Sequence, residues 1–357
     1  LVSRHEDGKE SEGSLMLLFV LLFVVSALIT AGVRLVFVRR GLFDVPNSRS
    51  SHSVPVPRGG GVGIVVVFLS SVVWILSRNL IPARLAWALI VGGLAIAIAG
   101  FLDDRFGLPP WPRLAVHILA AGWAVWCLCA MQPLQPGSSD VFWTWVARAA
   151  DIAALVWLTN LFNFMDGIDG LAGMEAVLVS AFGAVLMLQD GLRGDSQLSW
   201  SLAAASLGFL VWNWPPAKIF MGDIGSGFLG FTLGTLALFS SRSKPELLWS
   251  WLILLAAFLV DATFTLLRRM ISRARWYDAH RNHAYQHAVQ ACTSHAKVTL
   301  AVAAINIGWL LPLAWAAYRY PQAAPAFAAV AFAPLVVIAL RFEAGREQAP
   351  SIAALQD

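Results

Sequence analysis

The run Asn160-Leu161-Phe162-Asn163-Phe164-Met165-Asp166-Gly167-Ile168-Asp169-Gly170-Leu171 sets two amides and two carboxylates within ten residues. Helical spacing puts Asn160 and Asn163 on one face, and the glycines let the chain unwind so that Asp166 and Asp169 turn toward one site. A plain turn has no use for four such groups. A second run, Phe220-Met221-Gly222-Asp223-Ile224-Gly225-Ser226-Gly227, precedes an apolar stretch. A helix N-terminus there exposes unpaired N–H groups, a ready anion site. Alone, Asp223 reads as an N-cap. Beside the first run it reads as a carboxylate holding a metal against a bound phosphate. Mg²⁺ is the expected ion (Mn²⁺ the alternative), since Mg²⁺ takes a few carboxylates plus substrate phosphates.

Asp103-Asp104 closes another apolar run. Two carboxylates at a helix C-terminus repel each other and the negative end of the macrodipole, so a cation must offset them, Arg105 or a divalent metal; the plain alternative is an acidic loop salt-bridged to Arg105 or Arg113. In His280-Arg281-Asn282-His283-Ala284-Tyr285-Gln286-His287, a helix would place His280, His283 and His287 on one face. Zinc lacks a supporting cysteine or acid, and a solvated amphipathic helix is the plain alternative. Histidine and arginine donors facing a pyrophosphate fit the basic surroundings better. His117 reads as a hydrogen-bonded packing residue. Asp261 shares a helical face with Thr265 and Arg268, which suggests a buried structural ion pair.

The elements that must position these groups are membrane helices. Of 357 residues, 58% are apolar and 13% charged, against roughly 45–50% and 25% in soluble domains. Eleven apolar stretches are long enough to be candidate spans: 15–38, 62–77, 85–101, 113–131, 149–164, 171–189, 198–213, 225–240, 247–267, 298–318 and 322–340. The expected fold is an all-α polytopic membrane protein, with a polar segment over 1–14, one membrane-embedded catalytic domain over 15–340 and a cytoplasmic tail over 341–357. Met16 reads as a candidate start, and the first run, which ends at Arg39-Arg40, as a retained helix rather than a cleaved signal. A net charge of +4 does not suggest nucleic-acid binding. The three cysteines lack metal-ligand spacing.

Lys and Arg concentrate on the loops that are inside if the N-terminus is outside and the C-terminus inside. Every unusual polar cluster then falls on the cytoplasmic side. A lipid or ion transporter would place polar groups near the midplane and on both access routes, so the one-sided arrangement points to an enzyme at the inner leaflet.

The ordered set Asp103-Asp104, Asn160–Leu171, Phe220–Ser226 and His280–His287, with the loop Phe43–Gly60 before it, resembles the polyprenyl-phosphate N-acetylhexosamine-1-phosphate transferases of glycosyltransferase family 4, over about residues 40–290. The resemblance implies Mg²⁺-dependent transfer at the cytoplasmic face of the bacterial inner membrane. Undecaprenyl phosphate attacks the sugar-bearing phosphorus of a UDP-N-acetylhexosamine, UMP leaves, and the lipid tail lies along the helices. Asp103 would be the base or phosphate-activating carboxylate, Asp104 its metal-site neighbour and Asp223 the Mg²⁺ ligand. Asn163, Asp166, Asp169, Asn213 and Phe220 match nucleoside-pocket positions, with Phe220 stacking on uracil, while His280 and His283 would grip pyrophosphate or sugar. Lys218 is added for its charge beside that pocket, and Arg58, Asn160 and Arg281 are further substrate-contact candidates. Direct attack is favoured over an aspartyl-phosphate intermediate. Arg105 stands where the peptidoglycan branch has Lys, and the histidines are interrupted. Many O-antigen-type enzymes have a further Asp there, so Arg105 matches neither branch; the interrupted histidine form resembles the O-antigen-initiating branch more than a phospho-MurNAc-pentapeptide transferase.

Overall fold

A computed structural model describes residues 2–44, 54–129, 141–272 and 281–346, with side chains from residue 16 onward. The helices are α1 (Val2–Arg39), α2 (Gly61–Ser77), α3 (Ala83–Trp87), α4 (Gly93–Phe106), α5 (Pro110–Cys129), α6 (Val141–Met165), α7 (Leu171–Gln189), α8 (Arg193–Asn213), α9 (Asp223–Ser243), α10 (Leu247–Leu254), α11 (Ala256–Ile271), α12 (Ala284–Cys292), α13 (His295–Ile305), α14 (Leu311–Arg319) and α15 (Ala324–Arg341). A π turn at Ala88–Gly92 joins α3 to α4, and another at Asn306–Leu310 joins α13 to α14. The protein is an all-α, multi-pass membrane protein. Each of the eleven apolar stretches is helical over its described residues, 130–131 of the stretch 113–131 lying outside them. Among the described residues eight helices have the length and apolarity of a span, or nine if α10 and α11 count as one. The 17-residue α2 is shorter, and α8 carries Asp195 and several buried serines.

α9 is the central helix, with 89% of its most apolar window buried. Its neighbours reach it through glycines. A Cβ on Gly61 would lie 2.4 Å from the Gly225 Cα, and one on Gly100 would lie 2.4 Å from the backbone of Asp223. These contacts draw the start of α2 and the last turn of α4 against the first residues of α9, where the side chains of interest lie.

Three local features depart from the helical expectation. Two-residue strands β1 (Phe43–Asp44) and β2 (Val56–Pro57) pair antiparallel, and Arg58 then forms a parallel bridge with Phe220. The stretch 247–267 is not one straight helix, because α10 and α11 meet at a 69° bend. The histidine segment is not one helical face either. His283 has extended backbone as the N-cap of α12, so it cannot stack above His287 in helical register.

Candidate active site

The site gathers at the N-terminus of α9. Gly222, with φ 77°, turns the chain into the helix, and a Cβ there would meet the Asp104 carboxylate at 2.4 Å. Asp104 accepts the N–H groups of Asp223 (3.0 Å) and Ile224 (3.2 Å), so a carboxylate of α4 satisfies two orphan donors of α9. Asp103 instead accepts the Leu108 N–H at 2.7 Å and pairs with Arg113. Arg58 pairs with Asp223 and, at 2.8 Å, with Asp104; Arg113 lies 3.3 Å from the other Asp223 oxygen. Asn163 donates to the Ser226 hydroxyl at 3.2 Å and also reaches the Asp223 carboxylate. Arg58 owes its place to the backbone: Phe220 N–H bonds Pro57 O (2.9 Å), and Gly59 and Gly60 N–H bond Phe220 O.

Three carboxylates thus face two guanidiniums. Burial alone would lower the Arg58 pKa, but Asp223, Asp104, Asp44 and Asp166 outweigh it and hold the guanidinium firmly charged. Burial pushes the Asp166 carboxyl well above the usual carboxylate range; Arg58 opposes that shift, and Asp223, Asp104 and Asp169 add to it.

The offsetting cations for the Asp103-Asp104 pair are therefore Arg58 and Arg113, not the adjacent Arg105. Among the described residues no three carboxylate, imidazole or thiol side chains converge tightly enough to cage a metal by themselves. Asp103 and Asp223 are drawn to one point by Arg113, whose Nη1 pairs with Asp103 and lies 3.3 Å from Asp223. Two carboxylates plus ligand phosphates is a donor set that suits Mg²⁺, and a cluster one positive charge short accepts a cation. Asp104, expected as a metal ligand, differs from the other two in that its oxygens accept two backbone N–H groups of α9, so it holds the start of that helix.

A second layer braces this cluster. Asn213, expected to contact a nucleoside, is 3% exposed; it accepts the Gly170 N–H (2.9 Å) and donates to Ile219 O (3.0 Å), so it ties two loops together instead. Asp169 accepts the Ala217 N–H at 3.0 Å. Phe220 is half-buried between these loops. Asn160 turns back to Val156 O at 2.7 Å and meets His117, the expected packing residue. Lys218 is exposed and lies against the Trp212 ring with Arg34, apart from the carboxylates.

His280 lies outside the described residues, and Arg281 is half-buried just before α12. His283 is 3% exposed and pairs with Asp261 at 3.2 Å, so it is a buried partner rather than an open donor. Asp261 also accepts from Thr265, as its spacing implied, and from the N–H groups of Ala284 and Tyr285. Its expected partner Arg268 donates to Ala344 O instead. Tyr285 hydroxyl donates to Phe164 O at 2.9 Å, which fastens α12 beside the Asp166 turn. Arg113 and His295 were missed as site residues. The first had a signal, since three clustered carboxylates need more than one arginine; the second had only its place at the start of a span.

A multi-pass membrane protein with clustered carboxylates, two arginines and a helix N-terminus at one end of its bundle has the makings of a phospho-sugar transferase. The comparisons agree. Residues 86–241 match the model of glycosyl transferase family 4. The chain is 30% identical over 296 residues to the probable undecaprenyl-phosphate N-acetylglucosaminyl 1-phosphate transferase of Bacillus subtilis, covering 80% of this chain and 82% of that protein. It is also 30% identical over 311 residues to the decaprenyl-phosphate N-acetylglucosaminephosphotransferase of Mycobacterium tuberculosis, covering 78% and 76%. The phospho-N-acetylmuramoyl-pentapeptide-transferase of Lactobacillus johnsonii is 29% identical over 228 residues, covering 60% and 70%. The chain belongs to glycosyl transferase family 4, among the polyprenyl-phosphate hexosamine-1-phosphate transferases.

Proposed function

We propose that this protein transfers N-acetylhexosamine-1-phosphate from a UDP-sugar to undecaprenyl phosphate and releases UMP, with its site on the cytoplasmic face of the bacterial inner membrane. The observation that carries the reading is the meeting of Asp103, Asp223, Arg58 and Arg113, from separate segments, at one helix N-terminus. An oxygen of the acceptor phosphate attacks the sugar-bearing phosphorus. A new P–O bond forms as the bond to the bridging oxygen breaks, and the electron pair leaves on UMP. Arg58 and Arg113 offset the charge of two polyanions brought together. Asp103 is the carboxylate nearest to acting as base. Its oxygens are held by the Leu108 N–H and Arg113, which fix the carboxylate in place to activate the acceptor phosphate, and direct attack is the favoured route. Mg²⁺, or Mn²⁺, held by Asp223 and Asp103 would neutralise the diphosphate and its developing negative charge.

The acceptor chain has a place to lie. An apolar cavity of about 500 Å³ is lined by Met165, Phe258, Ala288, Ala301, Val302 and Leu335, with Asp261 and Tyr285 also in its wall. We assign it to the first isoprene units. Ala301→Phe is expected to raise KM for polyprenyl phosphate about 5-fold or more and leave KM for the UDP-sugar unchanged, because an added ring competes only with the lipid. An equal rise in both would refute that assignment.

The interrupted histidines support a reading in which the product begins an O-antigen-type surface polysaccharide. Purified protein given undecaprenyl phosphate, Mg²⁺ and a panel of UDP-sugars should release UMP with one or more simple UDP-N-acetylhexosamines. Turnover confined to UDP-MurNAc-pentapeptide would instead establish the peptidoglycan reaction.

A further inference from the structure

Asp169 is gripped by a helix that belongs to none of the motifs. His295 Nδ1 lies 3.3 Å from Asp169 Oδ2 and 3.4 Å from its amide nitrogen. Thr299 hydroxyl donates to Asp169 O at 2.9 Å. One helical turn separates the two, and both stand at the start of α13, whose N-terminus is capped by Ser294. Beyond α13, Asn306 donates to the buried Glu175 Oε2 at 2.8 Å and ties the same helical run to α7 a second time. The Gly167–Gly170 turn, in contrast, has little stiffness of its own. Its carboxylate also carries the neighbouring loop, since Asp169 Oδ2 accepts the Ala217 N–H. Two walls of the pocket therefore meet on one carboxylate, and α13 holds that carboxylate in place.

We propose that His295 and Thr299 are positioning residues for nucleotide binding, acting through Asp169. Asp169 N–H donates to His295 Nδ1 and Oδ2 accepts the Ala217 N–H, which fixes backbone and carboxylate together so that Oδ1 can accept an N–H of the bound nucleotide. Thr299 sets the height of the turn from the other side. The inference rests on the reading of this face as a nucleotide pocket, and it locates the effect in binding of the donor rather than in the chemical step.

Full-length protein in detergent tests this, with kinetics on the UDP-sugar that supports turnover and calorimetry with UMP as the probe. His295→Ala should raise KM for the UDP-sugar about 10-fold, weaken UMP binding in parallel, and leave kcat within about 3-fold. KM for polyprenyl phosphate should not move. His295→Asn, whose short amide can reach where Nδ1 sits, should recover most of the loss; Thr299→Ser should behave as wild type and Thr299→Val should not. An unchanged UMP affinity in His295→Ala, a loss in kcat alone, or an Asn variant no better than Ala overturns the clamp. Such a result leaves the transferase reading standing. Wild-type protein that releases no UMP from any UDP-sugar overturns the transferase reading instead, and UMP calorimetry still decides the clamp.

Discussion

Asp223→Ala is expected to abolish UMP release, with kcat falling on the order of 10³-fold or more, about 4 kcal/mol of transition-state stabilisation. Among the described residues Asp223 is the one carboxylate paired with both Arg58 and Arg113, and it is the first residue of α9, where the site gathers. Without it, two guanidiniums lose their common partner, but Arg58 keeps Asp104, Arg113 keeps Asp103 and both side chains are part-exposed (39% and 33%), so solvent screens much of the loss. The Ala variant still mixes lost chemistry with lost stability. Asp223→Asn narrows the mixture: it loses the charge but keeps the volume and one acceptor oxygen, so its melting temperature should fall less than that of Asp223→Ala while turnover is still lost. Wild-type turnover in Asp223→Asn would remove this residue from the chemistry.

Excess chelator should take turnover to background, and added Mg²⁺ or Mn²⁺ should restore it. Three carboxylates against two guanidiniums leave the site short of positive charge before either phosphate substrate arrives. The structure also divides the acids. Asp103→Asn should raise the Mg²⁺ concentration for half-maximal residual rate about 10-fold, near 1.4 kcal/mol. Asp104 caps α9 with both oxygens, so Asp104→Asn should lower thermal stability with little change in that concentration; loss of one cap hydrogen bond costs ~1 kcal/mol. Turnover that survives chelation would sink the metal assignment.

Much of this was legible from composition and spacing. The apolar stretches announced their helices because a bilayer leaves the backbone no alternative to internal hydrogen bonding. Asn163, Asp166 and Asp223 stood out because polar groups beside a membrane span are costly unless they are used. The sharp bend between α10 and α11 left no trace, since neither Pro nor Gly lies in 247–267. It decides the direction of α11 and so brings Asp261 to α12. The histidine segment misled for a related reason: residue spacing assumes a continuous helix, and the carboxylate of Asp261 makes His283 an N-cap instead.

By itself the sequence determined the class of protein, the span-forming stretches and the inventory of acids, amides and arginines, because hydrophobic length and residue chemistry are local properties. Tertiary structure alone decided which arginine serves which carboxylate, that Asp104 and Asn213 brace the site from behind, and that α13 reaches back to Asp169. Those outcomes depend on distances between residues more than a hundred positions apart, such as Asp104 and Asp223 or Asp169 and His295. Close glycine contacts around α9 set those distances, and no local pattern encodes them.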